Sequence, residues 1–436
     1  MRSELARIVG TEHVEAGVRV ADASGLSGEA AALVRPGTPE EAAAVVAWCY
    51  ERDVPIVPVG GRTGYAGGCV PEGAAPVVAL GLDRLSRVRS FEPLRWRMEA
   101  EAGVTTATVA RLARENGLLF PPDPGAAEQS QLGGNIATNA GGPHAFKYGV
   151  TGNWVTGLEA VLAPGALVRV GGPVRKDVAG YDLRALLIGS EGTLGIVTAA
   201  HLRFVPAPPA ALPVAAAFGS VREGCDAIDR VLGSGVVPAA IEYLDGRALA
   251  AAPPPFAAGR GGAAMLVICE AESEGDRDEL LAALGPGATA PDARTLWRWR
   301  DGVSHGVTAA RGAKLSEDVA VPVDRLADAI EGTLAIGERH GLEACSWGHA
   351  GDGNVHATFL LDAGDADQRA RADAAALDLF DLARELGGTV SGEHGIGVLK
   401  RGQLSRQWPP AAVAAHRAIK DALDPKGLLN PGKKVP

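Results

Sequence analysis

The chain is poor in cysteine: five cysteines occur among its 436 residues, and no two of them form a CxxC pair. They are odd in number and widely scattered, which argues against a disulfide framework and against a cysteine zinc site. We interpret them as small apolar residues of the core. They are Cys49, Cys69, Cys225, Cys269 and Cys345.

Long apolar runs and an excess of positive charge are also missing. No run approaches the roughly 18 apolar residues of a membrane span, and Glu4 and Arg7 stand where a signal peptide has an apolar core. The 42 basic and 52 acidic residues give a formal net charge of −10, which argues against a protein that mainly grips nucleic acid or an anionic membrane surface. We therefore expect a cytoplasmic protein with no membrane span and no nucleic-acid partner.

The fingerprint GxGxxG of nicotinamide-binding Rossmann folds is absent, although glycine itself is abundant, with 58 residues. This is nearly twice the average share of about 7%. The excess clusters in short loops, the pattern expected where the backbone turns at positive φ or approaches a ligand closely. The sequence therefore favours a phosphate-rich ligand bound outside an ordinary Rossmann site.

Apolar periodicity and capping signals predict a mixture of helices and strands. Thr38-Pro39-Glu40-Glu41 is a capping box with proline at the first helical position, and it predicts a helix over 39–52. A strand over 55–59 then runs directly into the glycine loop 60–68. Further helices are expected at 106–116, 221–233, 276–284, 322–339, 366–386 and 410–422, and further strands at 155–163, 167–171, 194–205, 240–244, 264–270 and 354–361.

A proline and alanine stretch, Pro206 to Pro213, is the clearest break in composition and predicts a linker between domains. Beyond it, strands and helices mix in the manner of an α+β domain. We expect a first domain over 1–206, a second domain over 207–395 and a C-terminal segment over 396–436.

Loop 60–68 presents several backbone N–H groups with little side-chain obstruction, as a pyrophosphate site requires. Taken alone, the loop also fits an ordinary glycine-rich turn. A second glycine-rich segment lies at 121–142, and a third segment at 176–198 contains KDVAGYDL and IGSEGTLGIVT.

In this order and spacing, the three segments resemble the FAD-binding domain of the vanillyl-alcohol oxidase/p-cresol methylhydroxylase superfamily, over residues 30–206. The resemblance implies an α+β fold, with a two-part FAD-binding domain and an α+β substrate (cap) domain. It places loop 60–64 on the pyrophosphate, 133–138 beside the phosphates and the isoalloxazine, and 191–196 near the adenosine half. The cofactor-binding residues that it implies are Pro58, Gly60, Gly61, Arg62, Thr63, Gly64, Pro122, Gly125, Gly133, Gly134, Asn135, Thr138, Glu191, Gly195, Ile196 and Asn430.

Some members of that superfamily attach FAD covalently to a histidine or cysteine of a loop. Loop 60–68 contains neither residue; Cys69 lies just beyond it, and His144 lies in the segment GPHAFKYG. We therefore expect non-covalent FAD.

Histidines gather late in the chain. His349 and His356 are seven residues apart around a glycine-rich turn, and SGEHGIG adds Glu393 and His394. Two imidazoles and one carboxylate are the ligand set of an open zinc or similar divalent site. For each histidine, the alternative is an ordinary hydrogen-bonded residue of the core or surface.

These two motifs resemble the metal motif of the FAD-linked D-2-hydroxyacid dehydrogenases, the group that includes D-lactate dehydrogenase, D-2-hydroxyglutarate dehydrogenase and the flavin subunit of glycolate oxidase. The resemblance makes His349, His356 and Glu393 the ligands of a divalent metal and His394 the catalytic base. Zinc is the metal expected first, with manganese or iron as alternatives.

Two cationic residues complete the resemblance. Arg300, in LWRWR, resembles the arginine that holds the substrate carboxylate, and Lys314, in GAKLSED, resembles the substrate lysine of the group. Each also fits an ordinary solvated cation of the surface. Lysine is much scarcer than arginine in this chain, which favours a specific role for Lys314.

Together, these assignments predict an FAD- and metal-dependent dehydrogenase that oxidises a D-2-hydroxyacid to the 2-oxoacid by hydride transfer to flavin. Its partners would be a small 2-hydroxyacid and an electron acceptor, namely an electron-transfer flavoprotein, a quinone or dioxygen, and a homodimer is compatible with the sequence. One alternative is a flavin oxidase that acts on another alcohol. The other is a non-catalytic flavoprotein subunit of an electron-transfer complex, which the intact histidine cluster disfavours.

Overall fold

The computed structural model describes residues 1–73, 76–259 and 261–435, and the chain divides into two compact units. Unit 1 contains Met1–Gly141, Gly149–Ala207 and the segment from Glu393 onward. Unit 2 contains Gly142–Tyr148 and Pro208–Gly392. Both units combine helices with sheets, so the fold is α+β.

Helices and strands are numbered here in chain order. The helices are α1 (Arg2–Val9), α2 (Pro39–Glu51), α3 (Thr106–Glu115), α4 (Leu132–Thr138), α5 (Ala145–Tyr148), α6 (Leu183–Leu187), α7 (Val221–Gly233), α8 (Gly246–Ala251), α9 (Glu274–Leu284), α10 (Ala293–Arg311), α11 (Leu326–Arg339), α12 (Ala366–Glu385), α13 (Leu404–Gln407) and α14 (Pro410–Leu423). The strands are β1 (Val14–Ala21), β2 (Ser27–Val34), β3 (Ile56–Val59), β4 (Val78–Gly81), β5 (Val88–Glu92), β6 (Arg97–Glu101), β7 (Leu118–Leu119), β8 (Val155–Leu162), β9 (Ala166–Gly171), β10 (Ile196–Arg203), β11 (Val205–Pro206), β12 (Leu212–Phe218), β13 (Ala240–Asp245), β14 (Met265–Ala271), β15 (Gly312–Ala320), β16 (Ala344–His349) and β17 (Asn354–Asp362).

The first sheet of unit 1 has the strand order β1-β2-β4-β3, and both β2 and β3 run parallel to β4. Helix α2 begins where the sequence predicts, because Thr38 Oγ1 accepts a hydrogen bond from the Glu41 N–H at 3.1 Å. Its apolar face joins a core with Ile56 of β3 and Leu80 of β4. The buried strand β3 therefore delivers the chain from a fixed core directly to Gly60.

The second sheet of unit 1 is antiparallel, with the order β5-β6-β10-β8-β9. The N–H groups of Leu132 and Gly133, at the start of α4, donate to the carbonyls of Val104 and Ala102, each at 2.8 Å. The third glycine-rich segment leads directly into β10 in the middle of the same sheet. The second and third segments are thus anchored to one sheet.

Unit 2 is built on one antiparallel sheet with the order β12-β14-β13-β16-β17-β15. Helix α10 packs on one face of it through Leu296, Val303 and Val307. The Asp292 carboxylate caps the start of α10 by accepting from the Thr295 N–H at 2.9 Å, and Gly312 ends the helix at φ 91°. In the middle of the sheet, β16 pairs with both β13 and β17.

The elements predicted from periodicity are present, and the differences concern their ends. The helix expected from 322 starts with the 3-10 turn Val323–Arg325 and becomes α-helical at Leu326. The strand expected over 194–205 is limited to Ile196–Arg203, with the short β11 after it. Among the described residues, nine strands lie outside those that the periodicity predicts, namely β1, β2, β4, β5, β6, β7, β12, β15 and β16. The helices that it does not predict are α1, α4, α5, α6, α8, α10 and α13.

In the part of the chain that the structure describes, no helix combines the length and the apolar character needed to cross a membrane.

Candidate functional site

The glycine loop after β3 forms part of a cleft within unit 1. The cleft contains about 950 Å³ of space outside the protein atoms, including the solvent at its mouth. Loop 60–68, helix α4 and the turn before β10 contribute most of its lining. Glycine is frequent in all three, so the cleft offers backbone N–H groups with few side chains in front of them.

Most residues predicted to bind the cofactor line this cleft. They are Pro58, Gly60, Gly61, Arg62, Thr63, Gly64, Gly133, Gly134, Asn135, Thr138, Glu191, Gly195 and Ile196. Pro122, Gly125 and Asn430 are not among the described residues that line it. The Asn430 amide nevertheless ties two of its segments together, because Nδ2 donates to the carbonyls of Gly68 (2.9 Å) and Glu191 (2.7 Å).

The cleft fits an elongated phosphate-bearing ligand by two tests. A Cβ at Gly134 would meet no heavy atom within 4 Å, so this backbone faces open space, whereas a Cβ at Gly60 would be in ordinary contact with Gln131 Oε1 at 3.7 Å. Gln131 Oε1 and Asp22 Oδ2, from residues lining the cleft, are buried without a hydrogen-bond partner among the described residues. Such atoms are suited to accept hydrogen bonds from the hydroxyl groups of a ligand.

His394 lines the same cleft, and its ring lies against Tyr65, with ring centroids 4.8 Å apart. Glu393 Oε1 lies 3.9 Å from His394 Nε2, so these adjacent side chains approach each other instead of diverging as they would in a strand. Gly395 and Gly397, at φ 83° and 47°, turn the chain directly after His394.

Glu191 fixes the backbone that follows His394. Its carboxylate oxygens accept hydrogen bonds from the N–H groups of Ile396 (2.8 Å) and Gly397 (2.7 Å). Glu191 is itself buried, with φ 54°. The resemblance places this residue near the adenosine half of the cofactor, and the structure shows its carboxylate directed at the turn that carries His394.

Unit 2 brings His349 and His356 together. His349 ends β16, His356 is the third residue of β17, and the turn between the two strands contains Gly353 at φ 74°. A Cβ at Gly353 would overlap the carbonyl oxygen of Val321, so only glycine fits there. The two imidazole rings, both buried, have centroids 5.3 Å apart and are nearly perpendicular.

A fully buried carboxylate, Glu242, contacts the Nδ1 atom of His349. Glu242 lies directly opposite His349 in the sheet, and its Oε1 is 2.5 Å from His349 Nδ1. Its other oxygen is 2.5 Å from Nη2 of Arg300, on α10. Burial alone would raise the pKa of the Glu242 carboxyl, but the charges of His349 and Arg300 outweigh burial and lower it. The structure thus connects Arg300 to the histidine pair through one anion.

Lys314 is placed on β15, where its Nζ donates to the carbonyl oxygen (2.9 Å) and the hydroxyl (2.5 Å) of Ser304. Ser304 lies one helical turn beyond Arg300 on α10. The amine also lies over the Trp347 ring, 5.1 Å from its centroid. Burial lowers the pKa of Lys314 from 10.5 to about 8.

Glu393 begins the last segment of unit 1. It directly follows Gly392, the last residue of unit 2. A Cβ at Gly392 would overlap the side-chain amide of Asn354, the first residue of β17, so Gly392 lies against the strand that carries His356.

Neither His144 nor Cys69, the two residues considered for a covalent flavin link, has surroundings that favour such a link. His144 belongs to unit 2, where its Nε2 is 2.9 Å from Glu270 Oε1. Cys69 lines the unit 1 cleft, and burial, with a smaller contribution from Asp22, raises the pKa of its thiol to about 12. A thiol of such a high pKa is almost entirely protonated at neutral pH and is a poor nucleophile.

Four residues of the site were missed in the sequence: Asp22, Tyr65, Gln131 and Glu242. Tyr65 is a single aromatic residue in a glycine loop, and Gln131 immediately precedes α4, so each gives only a weak local signal. Glu242 offers a better signal, because it is a carboxylate in the middle of strand β13, where all six residues are buried.

Two known protein families match most of the chain. Residues 207–434, more than half of the chain, match the family described as FAD linked oxidases, C-terminal domain. Residues 30–171 match the family described as FAD binding domain, which includes the glycine loop and α4.

Several curated relatives align over nearly the whole chain. The glycolate oxidase subunit GlcD of Bacillus subtilis is 33% identical over 417 residues, covering 92% of this chain and 88% of the relative. A D-lactate dehydrogenase of Archaeoglobus fulgidus is 34% identical, with coverages of 92% and 91%. A D-2-hydroxyglutarate dehydrogenase of Xanthomonas citri is also 34% identical, with coverages of 92% and 88%.

Solved structures show the same fold at much lower identity. The crystal structure of p-cresol methylhydroxylase with substrate bound has a TM-score of 0.79 at 17% identity and covers 99% of this chain and 95% of its own. An alkyldihydroxyacetonephosphate synthase has a TM-score of 0.76 at 18% identity, with coverages of 98% and 84%. From the family matches and the full-length relatives, the chain belongs to the FAD-linked oxidases and is an FAD-dependent oxidoreductase.

Proposed function

We propose that the protein is an FAD- and divalent-metal-dependent dehydrogenase that oxidises a D-2-hydroxyacid to the 2-oxoacid. The observation that carries the proposal is the position of His394 in the glycine cleft of unit 1, beside Tyr65. A histidine there is suited to take the proton of a substrate hydroxyl while the hydrogen on C2 leaves as hydride. The named activities of the relatives, on glycolate, D-lactate and D-2-hydroxyglutarate, support this substrate class.

Arg300 is the residue proposed to bind the substrate carboxylate. Its Nη2 is held by Glu242, while its Nε is buried without a hydrogen-bond partner among the described residues. A guanidinium has five N–H donors in a fixed plane, so a carboxylate can bind to the donors that Glu242 leaves free. Lys314, on β15, is the second cation proposed for the substrate, and its amine is bonded to Ser304, one helical turn beyond Arg300 on α10.

His394 is proposed as the base that orients the substrate hydroxyl and accepts its proton. The turn that Glu191 stabilises at Ile396 and Gly397 limits how far its backbone can move, and the Tyr65 ring limits the rotation of the imidazole. A fixed base is effective because general-base catalysis requires hydrogen-bond distance and direction to the proton that is transferred.

FAD fits the unit 1 cleft, where the backbone of loop 60–64 and of α4 would hold its phosphates. When bound, FAD supplies the acceptor for the hydride from C2. The high pKa of the Cys69 thiol and the pairing of His144 with Glu270 support non-covalent binding.

The donor set also fits a divalent metal. His349 and His356 offer two imidazoles, and we propose Glu393 as the third ligand because it directly follows Gly392, which packs against β17. Two histidines and a carboxylate with open positions favour zinc, with manganese or iron as alternatives. Such an ion would lower the pKa of the substrate hydroxyl and so ease the removal of its proton.

Anaerobic stopped-flow spectroscopy tests the proposal. The FAD-loaded enzyme is mixed with glycolate and with the separate enantiomers of lactate and 2-hydroxyglutarate, and bleaching of the flavin absorbance is followed. We expect rapid bleaching by one or more D-enantiomers, little by L-enantiomers, and loss of the effect after metal removal by a chelator. Re-addition of zinc, manganese or iron then identifies the metal.

Simple alcohols without a carboxylate serve as the control. Faster bleaching by such an alcohol than by any 2-hydroxyacid would favour a flavin oxidase of different specificity. No bleaching by any compound would favour a non-catalytic flavoprotein subunit. Turnover with an electron-transfer flavoprotein, a quinone or dioxygen then separates the three candidate electron acceptors.

A further inference from the structure

Two buried carboxylates occupy one face of the unit 2 sheet and contact the same helix. Glu242 lies on β13, and Glu270 lies on the neighbouring strand β14. Glu270 is paired in register with Ala240, two residues before Glu242, so both carboxylates point to the face that α10 covers. Both are buried, at 0% and 5% exposure.

Each carboxylate contacts one histidine and one side chain of α10. Glu242 contacts His349 and Arg300, both at 2.5 Å. Glu270 accepts from the Trp297 Nε1–H at 2.5 Å and lies 2.9 Å from Nε2 of His144. The two clusters therefore have the same plan, but only the Glu242 cluster contains residues of the proposed reaction.

We propose that Glu242 is a positioning residue that controls metal affinity and substrate-carboxylate affinity together. It accepts the Nδ1–H of His349, which leaves Nε2 unprotonated and directed away as a metal ligand, and it holds the Arg300 guanidinium beside that ligand. The inference rests on the proposed function and adds to it a coupling between two binding events through a residue that touches neither ligand.

The physical reason is the protonation state of the imidazole. A neutral histidine carries one proton, and the acceptor at one ring nitrogen decides which nitrogen carries it. A carboxylate at Nδ1 fixes the ring and increases the basicity of the other nitrogen. Since the other oxygen of the same carboxylate neutralises the buried Arg300, a change at Glu242 alters both partners at once.

The first test is calorimetric titration of Zn²⁺ into the full-length, FAD-loaded, metal-stripped enzyme. Glu242→Gln keeps the size of the side chain but places an amide NH₂ against one of two donors, His349 or Arg300. We expect the Zn²⁺ affinity to fall by about 10- to 100-fold, as for other groups that orient metal-binding histidines. Glu270→Gln is the matched control, because it alters a buried histidine-bearing carboxylate on the same sheet face, and its Zn²⁺ affinity should equal that of the native enzyme.

The second readout separates binding from chemistry. At saturating Zn²⁺, Glu242→Gln should still show a raised KM for the 2-hydroxyacid, because Arg300 is no longer held in place, while kcat falls less. Glu270→Gln should have the same KM and kcat as the native enzyme. Equal Zn²⁺ affinity in the native and Glu242→Gln enzymes would overturn the coupling, as would equal losses of affinity in the Glu242→Gln and Glu270→Gln variants.

A measurement on the native enzyme avoids dependence on folding of the variants. In the Zn²⁺-loaded enzyme with ¹⁵N-labelled histidine, the His349 signals, assigned by their absence from His349→Gln, should show a proton on Nδ1 and none on Nε2. A proton on Nε2 would overturn the inference while leaving the proposed function intact. If the native enzyme binds no Zn²⁺, Mn²⁺ or Fe²⁺ and still reduces its flavin with a 2-hydroxyacid, the metal assignment and the coupling both fail.

Discussion

The cleft of unit 1 and the histidine-bearing face of unit 2 differ in the chemical groups that line them. The cleft is lined largely by glycine backbone from three short stretches of sequence. The unit 2 face is made of charged and aromatic side chains from β13, β16, β17 and α10, and a fully buried carboxylate links two of them. We therefore expect the first region to bind its ligand through shape and N–H groups, and the second through charge.

This difference teaches how each region should respond to substitution. A backbone cradle is sensitive to added volume but indifferent to the loss of a distant charge. A buried ion-paired cluster is sensitive to the loss of any one partner, because the remaining charge is left uncompensated. Variants in one region should therefore leave the function of the other region measurable.

The largest effect is expected when the histidine pair is broken. His349→Ala or His356→Ala should release about one divalent ion per chain and lower turnover by about 10⁴-fold or more, since metal assistance contributes several kcal/mol to such reactions. FAD should stay bound, because its cleft belongs entirely to unit 1. Metal analysis, flavin absorbance and steady-state turnover on the same preparation check all three statements.

His340→Ala is the matched control for the histidine pair. His340 also belongs to unit 2 and pairs with a carboxylate, Asp378, at 2.9 Å, but it lies outside the proposed ligand set. The variant should retain both metal and turnover. Unchanged metal content in His349→Ala and His356→Ala would show that the ligand assignment is wrong.

The next effect concerns the base in the unit 1 cleft. His394→Ala should keep FAD and metal and yet slow flavin reduction by about 10²- to 10⁴-fold, the usual contribution of a general base. Glu393→Ala should instead lose metal and activity together, because we assign this carboxylate to the metal. Rapid flavin reduction in His394→Ala by stopped flow would contradict its role as the base.

The glycine-rich cleft and the proximity of His349 to His356 could be predicted because their signals are local. Loop 60–68 and the turn between His349 and His356 are each contained within ten residues, so the glycines and the functional side chains occur together in the sequence. The helix caps are local as well, and α2 begins at its predicted residue. Such features need no knowledge of the tertiary structure.

The parts that escaped prediction depend on distant contacts. Glu242 contacts His349 across 107 positions of sequence, and nothing near either residue indicates the partner. Strand β16, ACSWGH, is buried at all six positions and lacks alternation of polar and apolar residues. Strand β15 contains Lys314, Glu317 and Asp318, which have low strand propensity, and it is stabilised by pairing along its full length with β17.

A smaller effect should distinguish the backbone cradle from the rest of unit 1. Gly134→Val places a branched side chain into the open cleft without meeting protein atoms at Cβ, so we expect the fold to survive and FAD affinity to fall by about tenfold or more. Gly402→Val is the matched control, because its Cβ also meets no heavy atom within 4 Å and Gly402 is not among the described residues that line the cleft. Equal FAD affinity in both variants, measured by flavin fluorescence, would place the cofactor elsewhere.

The smallest effect is a pH dependence confined to the unit 2 region. Because burial lowers the pKa of Lys314 to about 8, its amine is charged below that pH and neutral above it. The folded state therefore carries a cost for this charge at low pH, and the cost disappears as the pH rises from 8 towards the ordinary value of 10.5. A charge that is unfavourable for folding and yet retained is consistent with a role in binding an anion.

If Lys314 binds the substrate carboxylate, the KM for the 2-hydroxyacid should rise by up to about tenfold per pH unit above pH ~8. Retention of FAD should stay constant over the same range, because backbone N–H groups do not titrate there. Lys314→Arg keeps its charge and should flatten the KM profile, whereas Lys314→Met should show a raised and equally flat KM. Steady-state kinetics with the native enzyme and both variants provide the measurement. A rise in KM with pH that persists in the two variants would assign the titration to another group. Lys314 would then have only its structural contacts to Ser304 and Trp347.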